Sequence, residues 1–156
     1  ENFSFLEENK NLNGLTNLEV YKLAVAEKEG EASFFNSDHL SMSHSFFETS
    51  IENSTIVRTM SLAGILDAHQ IDHLDYLKID AEGAEYLILL NTPPETLNKV
   101  DKILLEYHDY LDHGHHYSDI VKYLEDNGFQ VEIARSFLFR YIFKQGFIKA
   151  IKIKAK

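Results

Sequence analysis

LKIDAEGAEYL, residues 77–87, joins an apolar run to an acidic turn and then to an apolar helical stripe. The run from Leu74 to Ile79 predicts a short buried strand. The turn contains Asp80, Glu82, Gly83 and Glu85. The stripe behind it predicts a helix that ends before Pro93-Pro94. A strand, an acidic turn and a helix in this order are expected at the edge of an α/β sheet, where ligands bind outside the carboxyl ends of the strands.

The crowded carboxylates of this turn have two interpretations. In the first, they form a functional site. Like-charged carboxylates beside a packed strand end raise one another's pKa, so such a site needs a cation or hydrogen-bond donors that compensate the charge. In the other interpretation, Asp80 caps the following helix, while Glu82 and Glu85 complement the positive end of its dipole. The residues of the turn alone leave both interpretations open.

The composition predicts one domain over residues 1–156, because 44% of the residues are hydrophobic and 12% are aromatic. A formal charge of −10 argues against a nucleic-acid phosphate backbone as the main partner. No apolar run reaches the length of a membrane span and no signal segment opens the chain, so we expect no membrane partner. Cysteine is absent, which excludes disulfides and thiol nucleophiles and fits a cytoplasmic protein.

The apolar pattern predicts alternating helices and strands without internal repeats, which favours a layered α/β fold. The first half predicts a helix over Asn2 to Leu12 closed by Gly14, a strand over Leu18 to Ala26, a hairpin return over Glu31 to Phe35, a loop over Asn36 to Ser54, an extended piece over Ile56 to Met60, and a helix over Leu62 to Ala68 capped by Ser61. The second half predicts a strand over Lys102 to His108, a loop over Asp109 to His116, a helix capped by Ser118 and ended by Gly128, a strand over Phe129 to Ala134, and a last strand from Gly146.

Two of these strands carry further predictions. Side chains alternate along a strand, so we expect Glu106 and His108 to point to the same side where theirs ends. In the last strand four lysines alternate with apolar residues: Lys149, Lys152, Lys154 and Lys156. Such lysines are typical of a strand protected against edge pairing.

The histidines and one lysine have competing interpretations. His113, His115 and His116 invite a metal interpretation, but their spacing lacks the helical period that aims two rings at one ion, which favours a solvated loop. His108 is a candidate base or ligand, against the alternative of a core histidine satisfied by a neighbour. Lys78 lies within an apolar strand, and an unpaired buried ammonium is costly, so we expect it to reach a carboxylate such as Asp80 or Glu106.

Residues 77–90, LKIDAEGAEYLILL, resemble the signature of the FkbM-type methyltransferases. That signature is close to lysine, a hydrophobic residue, aspartate, any residue, glutamate, glycine, any residue and glutamate. Further matches follow in the family's order: LEENKNLNG (6–14), LAVAEKEGE (23–31), Met60-Ser61-Leu62, Leu105-Glu106-Tyr107-His108, and Tyr123-Leu124 through Gly128-Phe129. The resemblance covers almost the whole chain.

The resemblance implies an α/β, Rossmann-like class I methyltransferase sheet, mostly parallel with an antiparallel C-terminal strand. It implies an S-adenosylmethionine-dependent O-methyltransferase that acts on a hydroxyl of a small molecule, a sugar or a glycan. The resemblance implies that Asp80 and Glu82, after one strand, and Glu106 and His108, after the next, lie beside the cofactor and acceptor. For these positions we expect His108 or Asp80 to remove the acceptor proton and Glu82 or Glu106 to orient the acceptor or a divalent ion. The cofactor would be bound by Ala24 and Val25, near the adenine, and by Asp80. No metal ligand is assigned.

The chain departs from the family's pattern at its start. The glycine-rich strand and turn that hold the methionine part of the cofactor, and the acid that binds the ribose, would lie upstream of Glu1. We therefore expect a sheet lacking its first two strands, weak cofactor binding by these residues alone, and pairing of exposed sheet edges, which would favour a homo-oligomer.

Two alternatives stay open: a non-catalytic interaction module with a methyltransferase-like core, and a metal-dependent hydrolase using Asp80, Glu106 and His108. Nothing in the sequence identifies the methyl acceptor.

Overall fold

The computed structural model describes residues 2–35, 54–109, 114–134 and 144–153. The helices in these ranges are α1 (Asn2–Leu12), α2 (Leu62–Ala68), α3 (Glu85–Leu90), α4 (Pro94–Leu97) and α5 (Tyr117–Asp126). The strands are β1 (Ala24–Val25), β2 (Gly30–Phe35), β3 (Ser54–Met60), β4 (Leu77–Ile79), β5 (Lys102–His108), β6 (Phe129–Ala134) and β7 (Gln145–Lys152). Apart from Ser54, the predicted loop over Asn36 to Ser54 lies outside the described residues. None of the described helices has the length and apolarity needed to cross a membrane.

The first sheet has the strand order β1-β3-β2. β1 runs parallel to β3, whereas β2 runs antiparallel to β3. The predicted strand over Leu18 to Ala26 is therefore too long, because only Ala24–Val25 is paired and Leu18 and Tyr21 are exposed. The predicted hairpin return is also wrong in its partner, since β2 pairs with β3 rather than with the strand that precedes it.

The second sheet has the strand order β4-β5-β7-β6. β4 runs parallel to β5, and β7 runs antiparallel to both β5 and β6, so the antiparallel C-terminal strand is found as predicted. Among the described strands two pairings are parallel and three are antiparallel. The mixed α/β class is thus confirmed, whereas the predicted mostly parallel order is not found among the described strands. The Rossmann-like topology stays a prediction.

The lysines of β7 do not protect a sheet edge, because β7 lies between β5 and β6. Lys149 is exposed, and its Nζ lies 3.9 Å from Oε1 of Glu132 on β6. Lys152 donates to Oδ1 of Asn98 and to the backbone oxygen of Asn127, each at 2.7 Å. Alternation along a strand indicates one solvated face but not the place of the strand in its sheet, which explains the error. The two remaining lysines lie outside the described residues.

One hydrophobic core joins the second sheet to α3 and α5. On β5 the buried Ile103, Leu105 and Tyr107 alternate with less buried neighbours, as expected for a strand with one face on the core. His108 breaks this alternation, since it is buried directly after the buried Tyr107. Gly146 of β7 lies opposite Tyr107, where a Cβ atom would approach Tyr107 Oη to 2.7 Å. The end of β5 is therefore packed on both faces.

Most helix ends follow their predicted signals. Ser61 caps α2 by accepting a hydrogen bond from the N–H of Gly64 at 3.0 Å, and Gly14 follows α1 with a positive φ of 61°. The predicted cap of α5 is wrong, because α5 begins at Tyr117 with His116 as its N-cap residue, two residues before Ser118. The N–H of His116 donates to Oδ2 of Asp119 at 2.9 Å, so a reciprocal capping box replaces a serine cap.

Candidate functional site

The carboxyl ends of the parallel neighbours β4 and β5 meet at one edge of the second sheet. Asp80 follows β4 directly, and β5 ends with Glu106 and His108. Together with Glu82 of the turn before α3 and Glu85, the first residue of α3, they form a cluster, called the motif site below: Asp80, Glu82, Glu85, Glu106 and His108. The structure thus brings together the four side chains predicted to be catalytic and adds Glu85.

The turn between β4 and α3 has an uncommon backbone conformation. Glu82 has a φ of 47° and Gly83 a φ of 99°, both in the left-handed region. Glycine adopts such angles without a steric cost, whereas a glutamate persists there only when its surroundings hold it. Glu85 supplies this hold, since its Oε1 accepts from the N–H of Ala81 at 3.1 Å and its Oε2 from the N–H of Gly83 at 2.9 Å.

Asp80 does not cap the helix that follows. α3 begins at Glu85, and its N-cap residue Ala84 makes no side-chain cap hydrogen bond. Asp80 instead accepts a hydrogen bond from Nζ of Lys78 at 2.7 Å, so Lys78 reaches one of its two predicted carboxylates. The Lys78 side chain is 52% exposed, which removes the expected cost of a buried ammonium.

A buried pair of charge-bearing side chains joins this turn to β5. Nδ1 of His108 lies 2.7 Å from Oε1 of Glu85, and the two residues are only 3% and 0% exposed. Sequence reasoning missed this role of Glu85 and treated it as a complement to the helix dipole. Its one sequence signal was its place as the last glutamate of the signature.

Opposing influences set the pKa of His108. Burial is the largest of them and acts to lower the pKa. The hydrogen bond to Glu85, together with the charges of Glu85, Glu82 and Glu106, outweighs burial and raises the pKa above its ordinary value of 6.5. His108 is therefore a stronger base than a free imidazole.

The second imidazole nitrogen of His108 lies on the side of the more exposed carboxylates. Nε2 is 3.7 Å from Oε2 of Glu82, whose side chain is 35% exposed, and the Asp80 side chain is 36% exposed. The buried Nδ1 thus contacts the protein interior, while Nε2 lies beside side chains that solvent and ligands can reach.

Glu106 experiences the crowding that the sequence predicts for carboxylates at a strand end. Burial is the main cause that raises its pKa, and the negative charges of Asp80 and Glu82 raise it further. His108 and Lys78 act in the opposite direction without cancelling the shift. An additional cation near these carboxylates would relieve this repulsion.

The motif site has a surplus of negative charge, since four carboxylates adjoin Lys78 and one imidazole. Such a surplus favours a positively charged ligand. Asp80, Glu82 and His108 are also residue types that can hold a metal ion, and each offers an atom within 4.8 Å of the other two. This group contains Glu82 in place of the Glu106 predicted for a metal-dependent hydrolase. The arrangement can therefore accept a proton at His108 or attract a cation.

The histidines after β5 have structural contacts. Nε2 of His116 lies 3.0 Å from Oδ2 of Asp109, whose other oxygen, Oδ1, accepts a hydrogen bond from the hydroxyl of the buried Tyr86. The ring of His115 stacks on that of Tyr86, with centroids 6.1 Å apart. Neither histidine belongs to a metal-capable group within the described ranges, and His113 lies outside them. Both side chains are also exposed, which fits the predicted solvated loop for His115 and His116.

Ala24 and Val25, the other residues predicted to bind the cofactor, form β1 in the first sheet. Both are partly buried, and Val25 packs against the hydrophobic core. Their role near an adenine ring stays a prediction.

The comparisons with known proteins yield one match. Residues 3–131 match the family model described as the methyltransferase FkbM domain. The matched range covers well over half of the 156 residues and includes every member of the motif site. No curated protein and no solved structure matches the chain.

Proposed function

The chain belongs to the FkbM methyltransferase family, and from this premise we propose that it transfers the methyl group of S-adenosylmethionine to a hydroxyl oxygen. Family membership establishes a methyltransferase; the cofactor and the oxygen acceptor are the proposal. The acceptor is a small molecule or a saccharide. One observation carries the proposal: a buried histidine, paired with a buried glutamate, ends a strand at the edge where α/β sheets bind ligands.

Nε2 of His108 is the atom that takes the acceptor's proton. A hydroxyl becomes a good nucleophile only as its proton leaves, and a positioned base contributes about 10²- to 10⁴-fold to such a step. Nδ1 is engaged by Glu85 at 2.7 Å, which leaves Nε2 beside Glu82 and Asp80. In the transfer the acceptor O–H bond breaks, its proton goes to Nε2, and the oxygen forms a bond to the methyl carbon.

The charge of the motif site fits the proposed cofactor. When bound, S-adenosylmethionine supplies a methyl group on a positively charged sulfur, which keeps the electron pair of the broken carbon–sulfur bond. The surplus of carboxylates favours this cation over an anionic ligand. Asp80, directly after β4, contacts cofactor and acceptor in the proposal, Ala24 and Val25 lie near the adenine, and Glu82 or Glu106 accepts a hydrogen bond from the acceptor.

Calorimetric titration of S-adenosylmethionine and S-adenosylhomocysteine tests the cofactor. The titrated protein is the one expressed from its full reading frame, with Asp80→Asn beside it as the site variant. We expect saturable binding of both ligands and weaker binding by the variant. Absence of binding to the unaltered protein would overturn the proposal and favour the non-catalytic interaction module.

A second measurement tests the acceptor atom. The protein is incubated with S-adenosylmethionine labelled in its methyl group and a panel of hydroxyl-bearing small molecules and saccharides. We expect the label in an alkali-stable methyl ether. Label released by mild alkali indicates a carboxylate ester, and label on nitrogen indicates an amine, so either result contradicts O-methyl transfer.

A further inference from the structure

We propose that Glu85 is the positioning residue of the motif site, because it contacts both the turn after β4 and His108 at the end of β5. It sets the tautomer and direction of the His108 imidazole and, through the backbone, the direction of Glu82. The inference rests on the proposed function for its catalytic meaning, while its physical content can be measured without any methyl transfer.

The Glu85 carboxylate bridges the turn that follows β4 and the last residue of β5. One oxygen, Oε1, contacts both the N–H of Ala81 at 3.1 Å and Nδ1 of His108 at 2.7 Å. The other, Oε2, accepts from the N–H of Gly83 at 2.9 Å. The residue is fully buried, so these three donors take the place of water around the carboxylate.

This geometry selects one tautomer of His108. Both oxygens of Glu85 already accept hydrogen bonds from backbone N–H groups, so the 2.7 Å contact is assigned as a third accepted bond, donated by a proton on Nδ1 of His108. In the neutral imidazole the other nitrogen, Nε2, then carries the lone pair and is the basic atom. Nε2 is the nitrogen beside Glu82, at 3.7 Å, on the more exposed side of the cluster. Glu85 thus directs the basic nitrogen toward the place where an acceptor can bind.

The same carboxylate holds the turn that carries Glu82. The two backbone N–H groups that donate to it belong to Ala81 and Gly83, the immediate neighbours of Glu82 in the chain. Glu82 has a φ of 47°, an angle that a glutamate keeps only where other contacts impose it. Without Glu85 we expect the turn to relax and Glu82 to leave the vicinity of Nε2.

Nitrogen-15 NMR of the histidine side chains tests the first half of the proposal. His108→Asn identifies the His108 signals among those of the eight histidines by their loss. Among the described residues, the charged groups around His108 are Glu85 from α3, Glu82 and Asp80 from the turn, and Glu106 and Lys78 from the strands. The spectra are recorded above the pKa of His108, where its ring is neutral and has one tautomeric proton. We expect the Nδ1–H tautomer in the unaltered protein, and finding the Nε2–H tautomer there overturns the proposal without any Glu85 variant.

Glu85→Met tests the dependence on Glu85, because methionine has a similar length and offers no strong acceptor. We expect the Nε2–H tautomer to become populated and the amides of Ala81 and Gly83 to lose protection from hydrogen exchange. Glu82→Gln is the matched control, since it removes a charge beside the same ring without touching the three contacts of Glu85. Equal spectra for Glu85→Met and the unaltered protein, or equal changes in both variants, contradict the proposal.

A kinetic readout separates positioning from plain structural support. Glu85→Met is expected to lower kcat by about 10- to 100-fold, the loss typical of partners that orient metal-ligating histidines, and this loss should exceed any rise in KM for the acceptor that follows from displacement of Glu82. Glu85→Gln, which keeps one acceptor oxygen, should recover part of kcat. A rise in KM with unchanged kcat overturns the positioning role. If the protein binds no S-adenosylmethionine, the proposed function fails, but the NMR result still decides the role of Glu85.

Discussion

Two clusters of one histidine with carboxylates lie at opposite ends of β4 and β5, and they differ in burial more than in distance. At the motif site, His108 lies 2.7 Å from Glu85 and 3.7 Å from Glu82. At the other end, His73 lies 3.4 Å from Asp75 and 3.8 Å from Asp101; these three residues are called the opposite cluster. Both clusters have the composition and spacing of a metal-capable group.

Burial separates the two clusters. The His108 and Glu85 side chains are 4% and 0% exposed, whereas those of His73 and Asp75 are 58% and 94% exposed. Water screens the exposed charges and leaves their side chains free to move, so such pairs contribute little. In the motif site the carboxylate is held by backbone donors inside the core. Residue types and distances therefore do not make a site unless the fold also fixes and desolvates the side chains.

The largest expected difference is in the rate of methyl transfer. His108→Asn keeps an amide near the position of Nδ1 but has no basic nitrogen, so we expect kcat to fall by about 10²- to 10⁴-fold. His73→Asn removes the matching ring of the opposite cluster and should leave kcat unchanged. Steady-state kinetics with an acceptor found in the labelled-methyl assay measures both. Equal losses in the two variants would show that His108 is not the base.

The next difference is in stability. Glu85→Ala leaves His108 and two backbone N–H groups buried without their acceptor, which should lower the free energy of unfolding by about 3–5 kcal/mol. Asp75→Ala removes an exposed carboxylate and should cost under about 1 kcal/mol. Urea denaturation followed by circular dichroism compares the two. A loss below about 1 kcal/mol for Glu85→Ala would sink the claim that its contacts hold the turn.

A smaller effect is expected in the dependence on pH. The pKa of His108 is raised in the unliganded protein, so its neutral, basic form accumulates only as pH rises through a value above 6.5, and kcat/KM should rise by about tenfold per pH unit below that value. The stability that protonated His108 contributes has the opposite sign: it is fully present below pH 6.5 and is lost as pH rises through the raised pKa. Rate profiles and denaturation midpoints measured over the same buffers test both signs. Glu82→Gln should move both transitions to lower pH, and His73→Asn should move neither.

The smallest effect is expected from removal of divalent ions. Nε2 of His108 cannot accept a proton while it ligates a metal, so a protein that uses it as the base should keep its rate in EDTA. Assays before and after dialysis against EDTA, with Mg²⁺ and Mn²⁺ added back, measure this. A rate lost with the chelator and restored by one metal would favour a metal centre at Asp80, Glu82 and His108. If Asp75→Ala then responds to EDTA and added metal in the same way as the unaltered protein, the metal does not bind at the opposite cluster.

Local signals predicted much of this fold. The strand Lys102–His108, the strand Phe129–Ala134 and the helix Leu62–Ala68 with its Ser61 cap were predicted with the bounds that the structure has. In each case the deciding residues lie within one element, where apolar period and capping chemistry act over a few positions. The length of β1 and the partner of β2 were wrong, because strand pairing depends on segments that are far apart in the chain.

By itself, the sequence determined the acidic turn after β4, the family, and the placing of Glu106 and His108 where β5 ends. Those features depend on residue type and short-range order. Only the tertiary structure decided that β7 lies inside its sheet, that Asp80 is the carboxylate that accepts from Lys78, and that Glu85 joins the turn to His108. Glu85 and His108 are 23 residues apart, and the contact between them exists only because parallel pairing of β4 with β5 brings both strand ends to one edge and the core excludes water from the pair.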